Sequence, residues 1–449
     1  MCGSERVQIL GSLLLVAAAL GLHGCVTATL DPPQRTQLRD ASVVPPVAQL
    51  SPTLELAKVK TASDVARVII DASGNAHVVL SLKVPREVRH IVVGADGVLE
   101  REIVCSGVQA DSLDAAFDRS GTLHILIDGN HYVKTNGGWR GGERTPWQDA
   151  GLRVRGAGFV DGASDLTWQF LVRGKDIGAP GRWDWQILAA GPGAPAVPLI
   201  WPWHSRPDKL VVVRESNLAN PVWTVIDPTD QLGIKDRKVA ENAEGAIEVL
   251  YQASGAGALH QGSEHRYAHF KLNDFTGGDN LEVRDSKTRF RKFPLRQVSG
   301  AKMTLPAGAT LSQGIRGENG WLFVEFYGGR SFRVRNAQWD SGDTLPAQEL
   351  WPIRLASAGD EDFHAITTGQ ADHERKDKNF SIRYLVFRGG RWSAPMDLGV
   401  ADVGSSGRWS PGFLVEKATN VGSAGNERAF AVWPTTGGFV GRWIVLEKR

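Results

Sequence analysis

The sequence predicts an all-β protein assembled from repeated four-stranded antiparallel units. Residues 71–77 follow an apolar strand, contain an Asp-x-x-Gly turn and lead into a second apolar strand that opens on a His. The same pattern returns at residues 118–124. The chain also holds 51 Gly and only three Met, a balance typical of turn-rich β proteins. A repeated supersecondary unit governs the whole fold, so these observations set the fold class.

The two turns carry the same residue types at the same offsets. These positions are Asp71, Gly74, His77, Asp118, Gly121 and His124. We interpret them as structural: each Asp accepts backbone N–H groups in its own turn, each Gly supplies a positive φ, and each His bonds within or between units. The alternative is a catalytic or metal site in which both imidazoles and both carboxylates meet. Residues that recur in every unit serve each unit equally, whereas a site needs convergence on one place.

The strands of the first two units can be placed directly. In unit one they are 65–70, 76–82, 88–93 and 99–104, and in unit two they are 113–117, 123–127, 131–134 and a strand that opens at 137–139. Later units are degenerate, and their second strands are placed at 166–172, 222–226, 267–272, 321–327, 363–366 and 428–433. This count gives eight units. Seven is the alternative, because the unit at 208–245 is short and poorly marked.

Repeats of four short strands at a period of about 45 to 55 residues resemble the blades of a β-propeller. The Asp-x-x-Gly-x-x-His turn and the Gly-Trp at 138–139 are similar to those of bacterial β-propeller lipoproteins. The resemblance covers residues 50–449 and implies a ring of four-stranded blades. The last unit shows only three strands. We therefore expect the strand at 54–60 to pair as the missing fourth strand of the last unit and so to close the ring.

The N-terminus has the features of a lipoprotein signal peptide. An apolar run at 9–22 is long enough for a signal sequence and short for a membrane span, and it ends in Leu22-His23-Gly24-Cys25. This resembles a bacterial lipoprotein processing site, which implies that Cys25 is acylated, with chains such as palmitate, and holds the protein at a membrane. We assign residues 1–24 to the signal peptide, 25–49 to a Pro-rich tether and 50–449 to the propeller.

Charge and cysteine usage argue against a nucleic-acid-binding protein and against a fold stabilised by internal disulfides. The 51 basic and 49 acidic residues give a net charge of +2 and are scattered along the chain, which argues against a nucleic-acid partner. Of the three cysteines, Cys2 leaves with the signal and Cys25 takes lipid, so Cys105 remains, without a partner for an internal disulfide. We expect a monomer that is stabilised by packing.

The densest aromatic cluster is the second candidate for function. It comprises Trp183, Trp185, Trp201, Trp203 and the adjacent His204. Exposed tryptophans stack on sugar rings or bind partners at recognition surfaces. Packing between blades is the alternative, because propellers use large aromatic residues there.

No motif in the sequence identifies a catalytic residue, a metal site or a cofactor. The chain has no Gly-x-Ser-x-Gly elbow, no His-Glu-x-x-His and no P-loop. The leading hypothesis is therefore a lipid-anchored propeller of the bacterial cell envelope, at the outer membrane or a periplasm-facing surface, that binds or scaffolds an envelope protein or glycan. The alternative is a carbohydrate-active enzyme, a glycosidase or lyase, with its site at the mouth of the central channel. The sequence does not decide whether the protein is an enzyme, and the absence of catalytic motifs favours a non-catalytic role.

Overall fold

The fold is described from a computed structural model. It covers residues 48–58, 65–143, 145–149, 154–173, 208–214, 223–226, 232–255, 263–271, 280–284, 290–298, 300–303, 313–317, 319–324, 330–335, 338–346, 350–359, 362–369, 379–402, 411–425 and 427–446. Within these ranges the chain is built almost wholly of β-strands. The strands assemble into seven antiparallel or mostly antiparallel sheets, which are called blades one to seven below.

The first two strands belong to the last blade, and the next eight form blades one and two. The strands are β1 (Ala48–Leu50), β2 (Leu54–Lys58), β3 (Ala66–Ile70), β4 (Ala76–Leu82), β5 (Glu87–Gly94), β6 (Gly97–Ser106), β7 (Leu113–Phe117), β8 (Leu123–Ile127), β9 (Asn130–Thr135) and β10 (Gly138–Glu143). Blade one is the meander β3 to β6 and blade two is β7 to β10. A short helix, α1 (Pro146–Asp149), follows. The eight strands of blades one and two lie within about two residues of where the sequence predicts them.

Blade four contributes a hairpin to blade three. Their strands are β11 (Val154–Phe159), β12 (Thr167–Arg173), β13 (Asp208–Arg214), β14 (Trp223–Ile226), β15 (Leu232–Glu241), β16 (Ala246–Gly255), β17 (Ser263–Lys271), β18 (Asn280–Arg284), β19 (Phe290–Val298) and β20 (Ala301–Met303). Blade four is β15, β16, β17 and β20. The hairpin β18–β19 leaves it and extends blade three, with β19 parallel to β14.

Blades five to seven complete the chain. Their strands and helix are β21 (Gln313–Gly317), β22 (Gly320–Val324), β23 (Arg330–Arg335), β24 (Gln338–Thr344), β25 (Leu350–Ser357), β26 (Phe363–Gly369), β27 (Asn379–Arg388), β28 (Arg391–Trp392), β29 (Met396–Asp402), α2 (Pro411–Ala418), β30 (Asn420–Ser423), β31 (Arg428–Thr435) and β32 (Gly438–Leu446). Blade five is β21 to β24 and blade six is β25 to β29. Blade seven joins β30, β31 and β32 to the N-terminal strands β1 and β2.

The first strands of the blades form a closed ring. With one exception, the first strand of each blade contacts the first strand of the next, in the order β3, β7, β11, β15, β21, β25, β30 and back to β3. The exception is the link between blades three and four, where β13 contacts β15 and an isolated bridge joins Asp161 to Ala240. A four-stranded sheet cannot cover both of its faces alone, and radial stacking covers them. The chain is therefore a β-propeller, which confirms the predicted fold class.

The described strands correct the favoured blade count from eight to seven. The unit expected at 208–245 does not form its own sheet, because β13 and β14 pair as the third and fourth strands of blade three. Its last part, β15, opens blade four. The second strand of blade four is β16, whereas the sequence placed it at 267–272, a stretch that begins in β17.

The ring closes between the two ends of the chain, as predicted. Strand β2 pairs with β32 in antiparallel register from Leu54 with Gly441 to Lys58 with Gly438. Further along β32, Trp443 Nε1 donates a hydrogen bond of 2.7 Å to the Gly94 carbonyl of blade one. An N-terminal strand that completes the C-terminal blade holds the ring shut, and the one cysteine within the described ranges, Cys105, is free.

Apolar clusters fill the spaces between blades. Between blades seven and one, Phe430 and Trp443 pack with Val78 and Ile91. Further clusters join blades six and seven, five and six, four and five, three and four, and one and two. The core is thus distributed around the ring, which is how a propeller buries both faces of each sheet.

Several predicted features lie outside the described residues. These are the signal peptide at 1–24, Cys25, most of the tether, and the aromatic cluster of Trp183, Trp185, Trp201, Trp203 and His204. Within the described ranges, no helix combines the length and the hydropathy that a bilayer span requires.

Candidate functional sites at the blade turns and the ring centre

The turn between the first and second strands of blade one is fixed by Asp71. Its Oδ1 accepts the Asn75 backbone N–H at 2.8 Å, and its Oδ2 accepts the Asn75 side-chain amide at 3.1 Å. Gly74 has φ +79° and donates its N–H to the Asp71 carbonyl. Burial alone would raise the pKa of Asp71, but the Asn75 and His77 donors hold it below its ordinary value.

A row of four side chains in mutual contact runs outward across blade one, in the order Asp71, His77, His90 and Glu102. It is called the imidazole chain below. His77 Nε2 lies 3.1 Å from Asp71 Oδ2, and His77 Nδ1 lies 2.9 Å from His90 Nε2. The two imidazoles stack with ring centroids 5.1 Å apart. His90 Nδ1 then faces Glu102 Oε2 at 3.5 Å. Register explains the contact, because His90 lies two residues from Val92, the cross-strand partner of His77.

The outer end of the imidazole chain meets blade two. Trp139 Nε1 donates to Glu102 Oε2 at 3.0 Å, and the Lys134 ammonium contacts Glu102 and, at 3.1 Å, Glu100 Oε1. Burial would raise the pKa of Glu102, but Lys134 holds it below its ordinary range. Burial and the neighbouring His77 lower the pKa of His90 to about 4.

Blade two repeats the inner part of this arrangement. Asp118 Oδ1 accepts the N–H groups of Ser120 and Thr122, each at 2.8 Å. Asp118 Oδ2 lies 3.3 Å from His124 Nε2, and His124 Nδ1 lies 2.9 Å from His131 Nε2. Burial lowers the pKa of His124 against the opposing attraction of Asp118. Gly121 has the same φ of +79° as its counterpart in blade one.

Blade four has the same turn with different residues, which sequence reasoning missed. Asn242 accepts the N–H groups of Glu244 and Ala246, and its side chain donates to Glu248 Oε1 at 3.1 Å. Glu248 thus stands where His77 stands in blade one, six residues after the turn begins. It binds Arg316 of blade five through two hydrogen bonds of 2.9 and 3.0 Å. The available signal was the Asn-x-x-Gly at 242–245.

The blade-turn residues are therefore placed in separate blades and not in one pocket. Each Asp and His bonds within its own turn or to the third strand of its own blade. The sequence marked the first His of each pair and missed its partner, His90 or His131. Both partners lie in the predicted third strands, so a His in strands two and three of both units was the available signal.

A second group of charged side chains, the central cluster, comprises Arg67, Asp114 and Arg354 on the first strands of blades one, two and six, Asp161 just after β11, and Glu416 in α2. Arg67 Nε lies 3.2 Å from Asp114 Oδ1, and its Nη2 donates to Asp161 Oδ1 at 3.0 Å. One guanidinium on β3 therefore reaches blades two and three, which places it at the centre of the ring. Sequence patterns gave no indication of this group, because its members are distant along the chain.

The pKa values of Asp114 and Arg354 in the central cluster are shifted. Burial raises the pKa of Asp114, and the nearby Asp161 carboxylate adds to this effect against the attraction of Arg67. Asp114 also accepts the backbone N–H of Phe159 at 2.7 Å. On the opposite side, Arg354 pairs with Glu416 of α2 at 3.5 Å. Burial and the charge of Arg67 lower the pKa of Arg354 against the attraction of Glu416.

Comparisons with known proteins show similarity of fold only. No protein-family model matches the chain, and no curated protein matches it. Among solved structures, virginiamycin B lyase from Staphylococcus aureus aligns with a TM-score of 0.46 at 8% identity, over 89% of this chain and 100% of that chain. YCF48 bound to a D1 peptide gives 0.45 at 9% identity, over 92% and 100%. An ulvan lyase gives 0.42 at 10% identity, over 87% and 96%. At these TM-scores the similarities do not indicate a function for this chain.

Proposed function

We propose that the protein is a lipid-anchored binding or scaffolding module of the bacterial cell envelope. Acylated Cys25 holds it at the membrane, residues 26–47 act as a spacer, and the propeller presents its surface to an envelope protein or glycan. The N-terminal strands β1 and β2 support this arrangement, because they attach the chain that follows Cys25 directly to the closing blade.

Mutual pairing of ionisable side chains is the observation that carries the binding proposal. A catalytic acid, base or nucleophile needs an atom within hydrogen-bond reach of the substrate. Here Asp71 and His77 bond each other, Glu248 binds Arg316, and Arg67 is shared by two carboxylates. These contacts join strands and blades, so the groups are used to build a rigid platform.

A binding experiment on the full chain, purified in detergent, tests this proposal. The protein is incubated with isolated envelope glycan and with envelope membrane proteins, and both the bound fraction and the chemical integrity of the recovered glycan are measured. We expect saturable binding to one of the two fractions, with the recovered glycan unchanged in mass. Absence of binding to both fractions would contradict the proposal.

One observation favours the second candidate, a carbohydrate-active enzyme with its site at the ring centre. Glycosidases use a carboxylic acid of raised pKa together with an ionised carboxylate, and Asp114 lies close enough to Asp161 for the second charge to raise its pKa. In this case Asp114 donates a proton to the leaving oxygen of a glycan that enters the channel.

Asp114→Asn separates the two candidates. If the protein is an enzyme, glycan fragments appear with the wild type and are abolished by this variant, while binding persists. If it is a binding module, neither protein releases fragments. Asp397→Asn is the matched control, because Asp397 forms an exposed ion pair with Arg383 on the outer part of blade six. Circular dichroism checks that both variants remain folded.

A further inference from the structure

Three potential metal ligands converge at the outer end of the imidazole chain. His90 in β5 is the cross-strand partner of Glu102 in β6, and Glu100 lies two residues before Glu102 on the same face of the strand. One ligand atom from each residue lies within 4.8 Å of the other two. Imidazole nitrogen and carboxylate oxygen are both ligands of divalent transition metals.

One neutral tautomer of the two imidazoles satisfies the hydrogen bonds of the imidazole chain and leaves a lone pair on His90 Nδ1. The Asp71 carboxylate accepts hydrogen bonds, so the His77 Nε2 at 3.1 Å carries a proton and donates it. In a neutral imidazole the other nitrogen, His77 Nδ1, is then an acceptor. In this tautomer His90 Nε2, 2.9 Å away, donates to it. This leaves His90 Nδ1 unprotonated.

The lone pair of His90 Nδ1 is directed at acceptor atoms. It faces Glu102 Oε2 at 3.5 Å, at the outer limit of a hydrogen bond, and neither a neutral His90 in this tautomer nor the carboxylate has a proton to share. The His90 side chain is only 2% exposed. A buried lone pair beside two carboxylates has the charge and the donor atoms that suit a divalent cation.

We propose that His90 Nδ1, Glu100 and Glu102 bind a divalent transition-metal ion such as Zn²⁺ in the gap between blades one and two. Asp71 and His77 then act as an outer shell, because a metal-binding His typically donates its other N–H to a group that fixes its tautomer. Glu100 is 45% exposed, so the site opens to solvent. A fourth ligand position is left for water, as in zinc sites with three protein ligands.

Lys134 competes with the metal. Its ammonium contacts both Glu100 and Glu102 and supplies one positive charge to two carboxylates. A divalent ion neutralises both charges, so metal binding displaces the Lys134 ammonium towards solvent. Lys134 is about a quarter exposed and sits near the end of β9, which leaves it room to move. Occupancy therefore depends on the metal concentration.

Blade two supplies an internal control. Its Asp118, His124 and His131 repeat the first three members of the imidazole chain, and Glu143 is the cross-strand partner of His131. Glu143, however, has Gly141 two residues before it in place of a second carboxylate, and it forms an ion pair with Arg140 at 2.6 Å. We therefore propose the site only for blade one.

Zinc titration of the full chain, stripped with a chelator and purified in detergent, tests the site. Affinity is measured by competition with a chromophoric zinc chelator, and the melting temperature with and without zinc gives a second readout. We expect Glu102→Gln to weaken binding by at least about 10-fold and Lys134→Gln to strengthen it by about 10-fold, since the first removes a ligand and the second removes a competing cation. Glu143→Gln should leave the affinity unchanged.

Asp71→Asn tests the outer shell. It removes no ligand, yet it should weaken zinc affinity by about 10- to 100-fold because the tautomer of His90 is no longer fixed. Cobalt substituted for zinc should show absorption bands typical of a low-symmetry, four-coordinate site, and these bands should be lost in Glu102→Gln. The proposal is overturned if zinc binds equally to wild type and Glu102→Gln, or if neither wild type nor Lys134→Gln binds it.

Discussion

The Tyr384 hydroxyl lies 2.5 Å from His364 Nδ1, in the same diagonal position across strands two and three that a second His occupies in blades one and two. His364 pairs across the strands with Val386, and Tyr384 lies two residues away, just as His90 lies two residues from Val92. A polar pair at this position therefore recurs with changed residue types, as expected of a structural contact that joins two strands.

Tyr384→Phe should destabilise the protein. Tyr384 and His364 are fully buried, so loss of the hydroxyl leaves His364 Nδ1 without its donor and should cost about 1–3 kcal/mol of unfolding free energy, measured by urea denaturation. Tyr132→Phe is the control, because Tyr132 is half-buried and its hydroxyl meets the weakly bonding Cys105 thiol. An equal loss of unfolding free energy in the two variants would contradict a stabilising hydrogen bond between Tyr384 and His364.

Stability should fall as the pH drops from 6.5 towards 4. Burial lowers the pKa of His364 to about 4, so in this range the unfolded chain binds more protons than the folded one. The sign follows: stability is present above the ordinary pKa of 6.5 and is lost as the pH falls through the folded value, by about 3 kcal/mol for this group. The unfolding free energy, measured across this pH range, should depend less steeply on pH in His364→Gln than in the wild type. The same pH dependence in both proteins would contradict the prediction.

Gly438→Ala should weaken ring closure. Gly438 has φ +147°, and a Cβ at this position would lie 1.7 Å from the Ala57 carbonyl of β2. The substitution should therefore separate β2 from β32 and lower the melting temperature by several degrees or more, measured by calorimetry. Gly437→Ala provides the control, since a Cβ there meets no atom within 4 Å. A melting temperature unaffected by Gly438→Ala would mean that the strand pair contributes little to closure.

Glu248→Gln should break the junction between blades four and five. The side chains of Glu248 and Arg316 are 7% and 10% exposed, so the variant leaves a buried cation without its carboxylate. Removing one partner of such a pair costs about 3–5 kcal/mol of unfolding free energy. Glu55→Gln acts on an ion pair with Lys58 whose side chains are 60% and 80% exposed, and should cost less than about 1 kcal/mol. Chemical denaturation of both variants measures the difference, and similar costs would refute the structural role of Glu248.

Local sequence chemistry was sufficient to predict the blade turns. An Asp with a Gly three residues later encodes its own geometry, because the carboxylate bonds nearby N–H groups and the Gly adopts a positive φ. Ring closure was also predictable, since the last unit lacked a strand and 54–60 alternates at period two. Both inferences depend on residues that are close in sequence or on a simple count of strands.

The partners of the turn residues were harder to predict. The contact of His77 with His90 depends on strand register, and that of Arg67 with Asp114 and Asp161 depends on which blades are neighbours. The favoured count of eight blades was wrong for a related reason, and the alternative of seven agrees with the described strands. Residues 174–207 separate β12 from β13, so the spacing suggested a new unit where the structure continues blade three.

The fate of Cys25 tests the anchoring claim most directly. The full chain is produced in bacteria with a C-terminal tag, cells are labelled with a palmitate analogue, and labelled protein is measured in membrane and soluble fractions. We expect labelled protein in the membrane fraction for the wild type, Cys2→Ser and Cys105→Ser, and unlabelled protein outside that fraction for Cys25→Ser. Persistence of Cys25→Ser in the membrane with its label intact would show that Cys25 is not the lipid anchor.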